Sequence, residues 1–350
     1  VCPTYTLYDM EPDGSDIICV SFHETHEWQP SVNNEGMLAY TRWDYVDRDT
    51  NIAHHIWTSY PDGRDPRSFH GNYPSRRQSR PWMEMSIRAI PDSHKYVATT
   101  GAHHGNAFGS LVLIDSHVED DGAMSQLTRL TPDVPFPEAE GKPERKYMCY
   151  ATAWPLSEED YLCVYDAAAG NRGIYWIDCY GNKELIYRDP AISSMYPLPI
   201  RSRPKPPTYP DTVTFSGPQT GRFLVQDVYQ GLKGVPHGTV KRLRVIGAPP
   251  KVQPHMNSPV LGVSAEDLGK FVLGTVPVEE DGSAYFHVPS GISVFFQALD
   301  ERGLALQTMR SLTYVQPNQT LTCIGCHEHR DLAPTAHQFP LAAAREPSKL

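Results

Sequence analysis

The clearest fold signal in this chain is the segment Ile56-Trp57-Thr58-Ser59-Tyr60-Pro61-Asp62-Gly63. It joins a short run of β-branched and aromatic residues to a Pro-Asp-Gly turn, where glycine adopts the positive φ that a tight turn requires. Leu7-Tyr8-Asp9-Met10-Glu11-Pro12-Asp13-Gly14 repeats the pattern, and Ile174-Tyr175-Trp176-Ile177-Asp178-Cys179-Tyr180-Gly181 repeats it in degenerate form. Each copy predicts a strand that runs into a tight turn.

Short apolar runs bounded by turn residues recur along the chain, as in Met37–Thr41, Ser110–Ile114 and Gly173–Ile177. Proline (32) and glycine (25) are frequent, and no long helical period is present. A strand-rich unit that recurs at roughly 40–60 residues is typical of a propeller blade. We therefore predict an all-β fold, a six- or seven-bladed β-propeller with TolB- or WD40-like blades. The alternative is a β-sandwich whose Asp-Gly turns recur by coincidence.

The proline-rich, basic segment Arg201–Pro210 predicts a seam between the repeats and the rest of the chain. After it, Val276–Gln297 alternates around two further turns, which predicts a small antiparallel sheet. Three parts are predicted: propeller blades at 1–205, the remaining blade or blades with a C-terminal β module at 206–320, and a segment at 321–350. The last contains the motif Cys323-Ile324-Gly325-Cys326-His327, typical of haem c attachment, and a C-terminal linker.

Charge and hydropathy exclude several classes of partner. The formal net charge of -10 over 350 residues argues against nucleic acid, which rewards a basic surface. No stretch approaches the roughly 20 apolar residues of a membrane span, so no transmembrane segment is predicted.

The motif Cys323-Ile324-Gly325-Cys326-His327 matches the C-x-x-C-H signature of covalent haem c attachment. In that chemistry two thiols add to the vinyl groups of one porphyrin, and the adjacent imidazole is an axial ligand of the iron. We predict one covalent haem c at these three residues. The alternative is a zinc site, which would need further ligands beyond this motif.

Three histidine clusters form a second candidate site: His23-Glu24-Thr25-His26-Glu27, His54-His55 and His103-His104. The first is not a metalloprotease motif, because its histidines are not four residues apart. On a strand, His23 and His26 would point to opposite faces. Neighbouring carboxylates such as Glu24 and Glu27 account for any one of these histidines. Because inner strands of propeller blades line a central channel, the clusters together predict a polar, metal-binding channel mouth, with His103 and His104 its weakest members.

Besides the haem signature, several other motifs are distributed along nearly the whole chain. They are Tyr40–Arg48, His103–Gly105, Leu273–Ala284, Phe296–Asp300, Met309–Ser311 and Cys323–Glu328. In combination they resemble the middle domain of the hydrazine synthase alpha subunit and its bacterial relatives.

The resemblance implies a six-bladed, propeller-like domain with an unusual haem c. In the hydrazine-forming enzyme of this family the motif histidine binds zinc, and a tyrosine four residues later ligates the iron. Asp331 stands at that position here. The departure favours a relative over the hydrazine-forming enzyme, with His327 as an ordinary axial ligand. If a zinc site is kept, its shell is His327 with one of His23 or His26 and one of His54 or His55.

Three functions follow as hypotheses. The first is a haem-dependent oxidoreductase whose haem lies beneath a histidine-lined funnel. The second is an electron-transfer or binding module with a six-coordinate haem, its sixth ligand a histidine or one of Met256 and Met309. The third is a structural domain of a larger extracellular assembly, with zinc in place of haem. The c-type motif predicts an exported, periplasmic or extracellular protein that works with a redox partner or other subunits, and an oligomer is compatible with it.

Overall fold

The structure is a computed structural model that describes residues 5–23, 26–43, 54–71, 81–102, 107–120, 123–137, 144–210, 212–249, 258–263, 265, 267–309, 311–326 and 339–350. Within these ranges the regular elements are β-strands, apart from two short 3-10 helices at Arg145–Tyr147 and Leu341–Ala344. The prediction of an all-β fold is confirmed. No helix in the described ranges is long and apolar enough to cross a membrane.

The first strands form a small hairpin and a four-stranded antiparallel meander. The hairpin pairs β1 (Tyr8–Asp9) with β2 (Ile18–Cys19). The meander runs through β3 (Glu27–Val32), β4 (Leu38–Trp43), β5 (His54–Ser59) and β6 (Arg67–His70). The Asp-Gly turn that follows β5 forms as predicted, since Gly63 has a φ of 78° and donates to the carbonyl of Tyr60 at 2.9 Å.

Two further four-stranded meanders follow. The second contains β7 (Met83–Ala89), β8 (Lys95–Gly101), β9 (Leu111–Asp115) and β10 (Leu127–Arg129). The third contains β11 (Tyr150–Pro155), β12 (Asp160–Tyr165), β13 (Gly173–Asp178) and β14 (Lys183–Tyr187). A short parallel pairing of His54 with Met83 joins the first two meanders into one eight-stranded sheet.

The meanders share apolar cores, and β4, β5, β7 and β8 are buried at nearly every position because both faces of these strands are covered. Ile56 of β5, Ile87 of β7 and Ile114 of β9 are fully buried in one cluster. A second cluster joins the second and third meanders and includes Leu111 and Tyr150. Burying one such side chain contributes about 1.5–3 kcal/mol. The strands predicted at 37–41, 110–114 and 173–177 are confirmed as β4, β9 and β13.

The C-terminal module is built from the last seven strands: β15 (Thr220–Val225), β16 (Arg242–Ala248), β17 (Phe271–Pro277), β18 (Ala284–Pro289), β19 (Ser293–Leu299), β20 (Ala305–Thr308) and β21 (Thr320–Cys323). They form two sheets, β18-β15-β21 and β17-β16-β19-β20. Strands β17, β18 and β19 therefore do not form the one antiparallel sheet expected from their alternation. They switch between the sheets because the apolar faces of both sheets pack together, with Phe223 and Phe286 of one against Phe296 of the other at 5.1 and 5.5 Å between ring centroids.

Hydrogen bonds fasten the module to the start of the chain. Gln316 donates its amide to the carbonyl of Val20 at 2.7 Å, and Ser293 donates its hydroxyl to the carbonyl of Phe22 at 2.9 Å. The buried Tyr314 hydroxyl donates to the carbonyl of Gly63 at 3.1 Å. The module therefore packs beside the residues that lead into the first histidine cluster.

The C-terminal segment, expected to be a linker, is packed on this module over residues 339–350. Ser348 donates its backbone N–H to Tyr285 at 2.9 Å and accepts one from His287 at 2.9 Å. Arg345 forms an ion pair with Glu279 at 2.7 Å. β18 is at the edge of its three-stranded sheet, so one side of its backbone is not paired with another strand. The C-terminal segment binds to the N–H and C=O groups on that side.

Candidate functional site

The cysteine pair lies where β21 ends, beside the parallel strand β15. The carbonyl of Cys323 accepts the N–H of Gln226 at 2.8 Å, and that of Ile324 accepts the N–H of Asp227 at 3.1 Å. The N–H of Cys326 then donates to the carbonyl of Gln230 at 3.0 Å. The backbone of the motif is thus fixed on both sides of its turn, which holds both cysteines in a set position.

Gly325 allows this close approach. A Cβ at its position would lie 2.4 Å from both the Cβ and the carbonyl oxygen of Gln230, which no real side chain tolerates. Cys323 and Cys326 are partly buried and pack against the module core. Both cysteine residues thus lie close to each other in the chain on one hydrogen-bonded turn at the edge of the module core. His327 lies outside the described residues.

The first histidine cluster is not strand-borne, because β3 begins only at Glu27. His23 and His26 are both buried, with exposed fractions of 0% and 4%. The ring of His26 stacks on Trp43 at 5.4 Å, and Trp43 stacks on His54 at 4.6 Å. The rule that His23 and His26 face opposite ways applies to a strand and fails here. Of the predicted residues, the structure brings together His23, His26 and His54 around Trp43.

The protonation of this cluster follows from its surroundings. Burial, and to a smaller degree the repulsion that would arise if His23 and His26 were both protonated, lowers the pKa of His26 to about 4. Tyr5 donates its backbone N–H to Nδ1 of His26 at 3.3 Å, which assigns the proton of the neutral ring to Nε2. His23 accepts a hydrogen bond from Nε of Arg42 at 3.0 Å. At neutral pH His26 is therefore an uncharged imidazole that presents an Nε2–H donor.

His55 belongs to a different group. Adjacent residues of a strand point to opposite faces of the sheet. His54 therefore joins the Trp43 stack on one face, and His55 lies on the other face. There its Nδ1 contacts the carboxylate of Glu84, which His70 also contacts at 3.2 Å through Nε2. Gln126 accepts from Nδ1 of His70. All three ionisable groups of this set, His55, Glu84 and His70, are buried.

Charge and burial oppose each other at Glu84. Burial alone would raise the pKa of this carboxyl, but the positive charges of His55 and His70 and their hydrogen bonds outweigh it. The pKa of Glu84 therefore lies well below its usual range. The sequence feature that could have identified Glu84 is its position as a single carboxylate between two apolar residues, Met83 and Met85. No spacing in the sequence connects it with His55 or His70.

Within the described ranges, no three His, Cys, Asp or Glu side chains are arranged to hold a metal ion. His103 and His104, like His327, lie outside those ranges. His55 is occupied by Glu84, and His26 presents a donor rather than a lone pair at Nε2. The zinc shell predicted from His327, His23 or His26, and His54 or His55 therefore stays a prediction, because His327 is its central member.

The geometry defines an all-β protein in which blade-like meanders are followed by a β-sandwich that ends in a Cys-x-x-Cys turn. Residues 238–328 match the family described as hydrazine synthase alpha subunit middle domain. Over 254 residues the chain is 27% identical to hydrazine synthase subunit alpha of Kuenenia stuttgartiensis. The resemblance drawn from the motifs is confirmed, and the chain is a relative of that subunit at low identity.

A solved structure shares the fold. The hydrazine synthase of Kuenenia stuttgartiensis superposes with a TM-score of 0.72 at 19% identity, over 94% of this chain and 47% of that one. The sequence match to the alpha subunit covers 58% of this chain and 31% of that protein. The chain thus spans about a third to a half of the length of the relatives it matches.

Proposed function

We propose that this chain is the haem-carrying part of an extracytoplasmic c-type haem protein with a redox role. The observation that carries the proposal is the turn at Cys323 and Cys326. Its backbone is hydrogen-bonded on both sides, and its central glycine is pressed against Gln230. A turn held this firmly, with two partly exposed thiols and a histidine next in the sequence, suits a group attached at three points.

In this proposal Cys323 and Cys326 form the thioether links and His327 is the axial ligand. The bound haem would supply one-electron exchange with a substrate or partner. The three meanders would be blades of a six- or seven-bladed propeller, and the cluster of His23, His26 and His54 would line its funnel. The neutral His26 would offer a hydrogen-bond donor there, and the Trp43 ring would exclude water from the same space.

Location and partners follow from the same chemistry. Covalent haem attachment belongs to exported proteins, so we place the chain in the periplasm or outside the cell. The relative from Kuenenia stuttgartiensis is named as a subunit. We therefore propose that this chain works with other subunits or with a soluble redox partner, and that its activity as an oxidoreductase depends on them.

The test is the visible spectrum of protein exported from a host that matures c-type cytochromes. A Soret band that survives denaturation and extraction would support covalent haem. A high-spin band that shifts with cyanide or nitric oxide would support an open iron and an enzyme. A low-spin band that ignores both would favour electron transfer. Absence of the band together with stoichiometric zinc would favour the structural alternative and overturn the proposal.

Variants make the assignment specific. Cys323→Ala and Cys326→Ala should each remove at least one of the two covalent links and weaken or abolish the haem stain on a denaturing gel. Cys179→Ala is the matched control, because Cys179 is exposed on the third meander. Full stain in the Cys323→Ala, Cys326→Ala double variant would refute the site.

A further inference from the structure

The first strand of each meander carries the same irregularity. The register shifts between Trp28 and Ser31 in β3, between Met85 and Arg88 in β7, and between Ala151 and Trp154 in β11. Inside each bulge one non-glycine residue has a positive φ. These residues are Gln29 at 54°, Ser86 at 52° and Thr152 at 48°. Such a conformation costs about 1–2 kcal/mol for an L-residue, so three equivalent cases point to a shared purpose.

The bulges turn side chains toward one place. A β-bulge bends its strand and re-aims the residue that follows it. Ser31, Arg88 and Trp154, at which the registers resume, all line one groove of about 1220 Å³. Hydrogen bonds join the bulges of β3 and β7. Ser86 donates its N–H to the Gln29 side chain at 2.8 Å, and Ser31 donates its hydroxyl to the carbonyl of Ile87 at 2.7 Å.

The proline-rich segment closes the other side of the groove. Residues 201–206 line it, and the chain is then anchored by Tyr209, whose hydroxyl donates to the carbonyl of Glu35 at 2.7 Å. The Tyr209 ring also meets the edge of Tyr60 at 4.8 Å. This anchoring keeps Arg203 close to the meanders although its side chain is exposed.

Two guanidinium groups meet at the Trp154 ring. Arg88 lies 4.4 Å and Arg203 lies 4.8 Å from the ring centroid. In the described part of the chain neither has a carboxylate within ion-pairing distance, whereas Glu158 on the same groove is paired with Lys95 at 2.7 Å. Burial lowers the pKa of Arg88, and the charge of Arg203 lowers it further. Among the described residues, two like charges thus lie at one ring with no ion-paired carboxylate, an arrangement that an anion bound beside both of them would stabilise.

We propose that this groove is an oxyanion-binding site in which Arg88 and Arg203 hold a carboxylate or phosphate group beside the Trp154 ring. A guanidinium group presents paired N–H donors that match both kinds of oxyanion. The groove is much larger than an inorganic ion, so it suits an organic anion such as a polycarboxylate or a phosphorylated small molecule.

The site is independent of the proposed haem function. His26 precedes β3, and His54 faces the first residue of β7, whereas Ser31 and Arg88 lie near the other ends of these strands. His26 and Ser31 are five positions apart in the chain, which corresponds to at most roughly 16 Å of extended backbone. Loss of haem would therefore leave the groove intact.

Isothermal titration of the full chain with citrate and with inorganic phosphate, at low ionic strength, tests the proposal. We expect saturable binding of at least one of them at one site per chain. Arg203→Gln and Arg88→Gln should each weaken it about tenfold or more, and added NaCl should weaken it further. Binding of citrate alone would identify a carboxylate ligand, and binding of phosphate alone a phosphorylated one.

Arg302→Gln is the matched control, because Arg302 is an exposed arginine in the turn before β20. This substitution removes the same charge at a distant place. It should bind as the parent does. Arg203 is exposed, so Arg203→Gln should fold normally, and near-UV circular dichroism will verify this. Failure of both anions to bind the parent protein, or equal binding by the parent and Arg203→Gln, would overturn the proposal.

Discussion

His55 and Glu84 form a buried imidazole–carboxylate pair between β5 and β7, next to the single parallel pairing that joins the first two meanders. Their exposed fractions are 1% and 0%. His70 completes the group from β6. Only one backbone pairing joins the two meanders here, so this side-chain network adds to the apolar cluster of Ile56 and Ile87 in holding them together.

Replacing Glu84 by Gln should therefore destabilise the protein by about 3–5 kcal/mol, because two buried histidines lose their common carboxylate. Urea unfolding followed by circular dichroism measures the change in free energy of unfolding. Glu301→Gln, an exposed glutamate in a turn, is the control and should change it by less than about 0.5 kcal/mol. Equal effects of the two substitutions would show that the network is not structural.

Stability should fall as the pH is lowered through the range in which His26 is protonated only in the unfolded chain. The pKa of His26 is lowered from 6.5 to about 4 in the folded protein. Below pH 6.5 the unfolded state binds more protons, so this contribution is complete above pH 6.5 and is lost progressively down to pH 4. The loss amounts to at most about 3 kcal/mol.

His26→Phe keeps an aromatic ring against Trp43 and removes the titrating group. Its free energy of unfolding should change less between pH 7 and pH 4.5 than that of the parent. The measurement is urea unfolding at a series of pH values. The idea fails if the parent and the variant lose stability in parallel. Glu84 adds a separate loss at lower pH, below the unfolded carboxyl pKa, because its pKa is depressed in the fold.

Gly325→Ala should displace the cysteine turn from Gln230, since the added methyl group would lie 2.4 Å from that residue. We expect lower covalent haem content and a lower melting temperature. Gly269→Ala is the control, because a Cβ there meets no atom within 4 Å and its φ is not positive. Normal haem loading and stability in Gly325→Ala would show that the turn relaxes without consequence.

His327→Ala should keep the thioether links but alter the Soret band if this histidine is the axial ligand of the iron. The absorption spectrum and the zinc content of the purified protein distinguish the two roles proposed for it. An unchanged spectrum with loss of zinc would assign His327 to zinc instead. His237→Ala, an exposed histidine of the module, should change neither quantity.

The sequence predicts the tight turns correctly, because a turn depends on the types of a few consecutive residues. The turns at Gly14, Gly63 and Gly181 form as predicted, with φ values of 85°, 78° and 96°. The first of these turns, however, belongs to a two-residue hairpin and not to a full meander. A strand and turn pattern in the sequence depends on only a few residues. It does not predict how many other strands pair with that strand.

Longer-range features could not be read in this way. The sequence marks His55 as a candidate ligand, but its partner Glu84 lies 29 positions along the chain and in another strand. The three bulges also escape pattern analysis, because the shift in register is defined only by the strand opposite.

The sequence by itself determined the all-β class, the tight turns and the Cys-x-x-Cys-His motif, because each depends on residue types within a few positions of one another. The tertiary structure decided that His26 and His54 meet at Trp43 while His55 does not. It also decided that β17 and β19 share a sheet from which β18 is excluded. Pairing and burial arise between residues distant in the chain, and the free energy that selects them comes from the packed core as a whole.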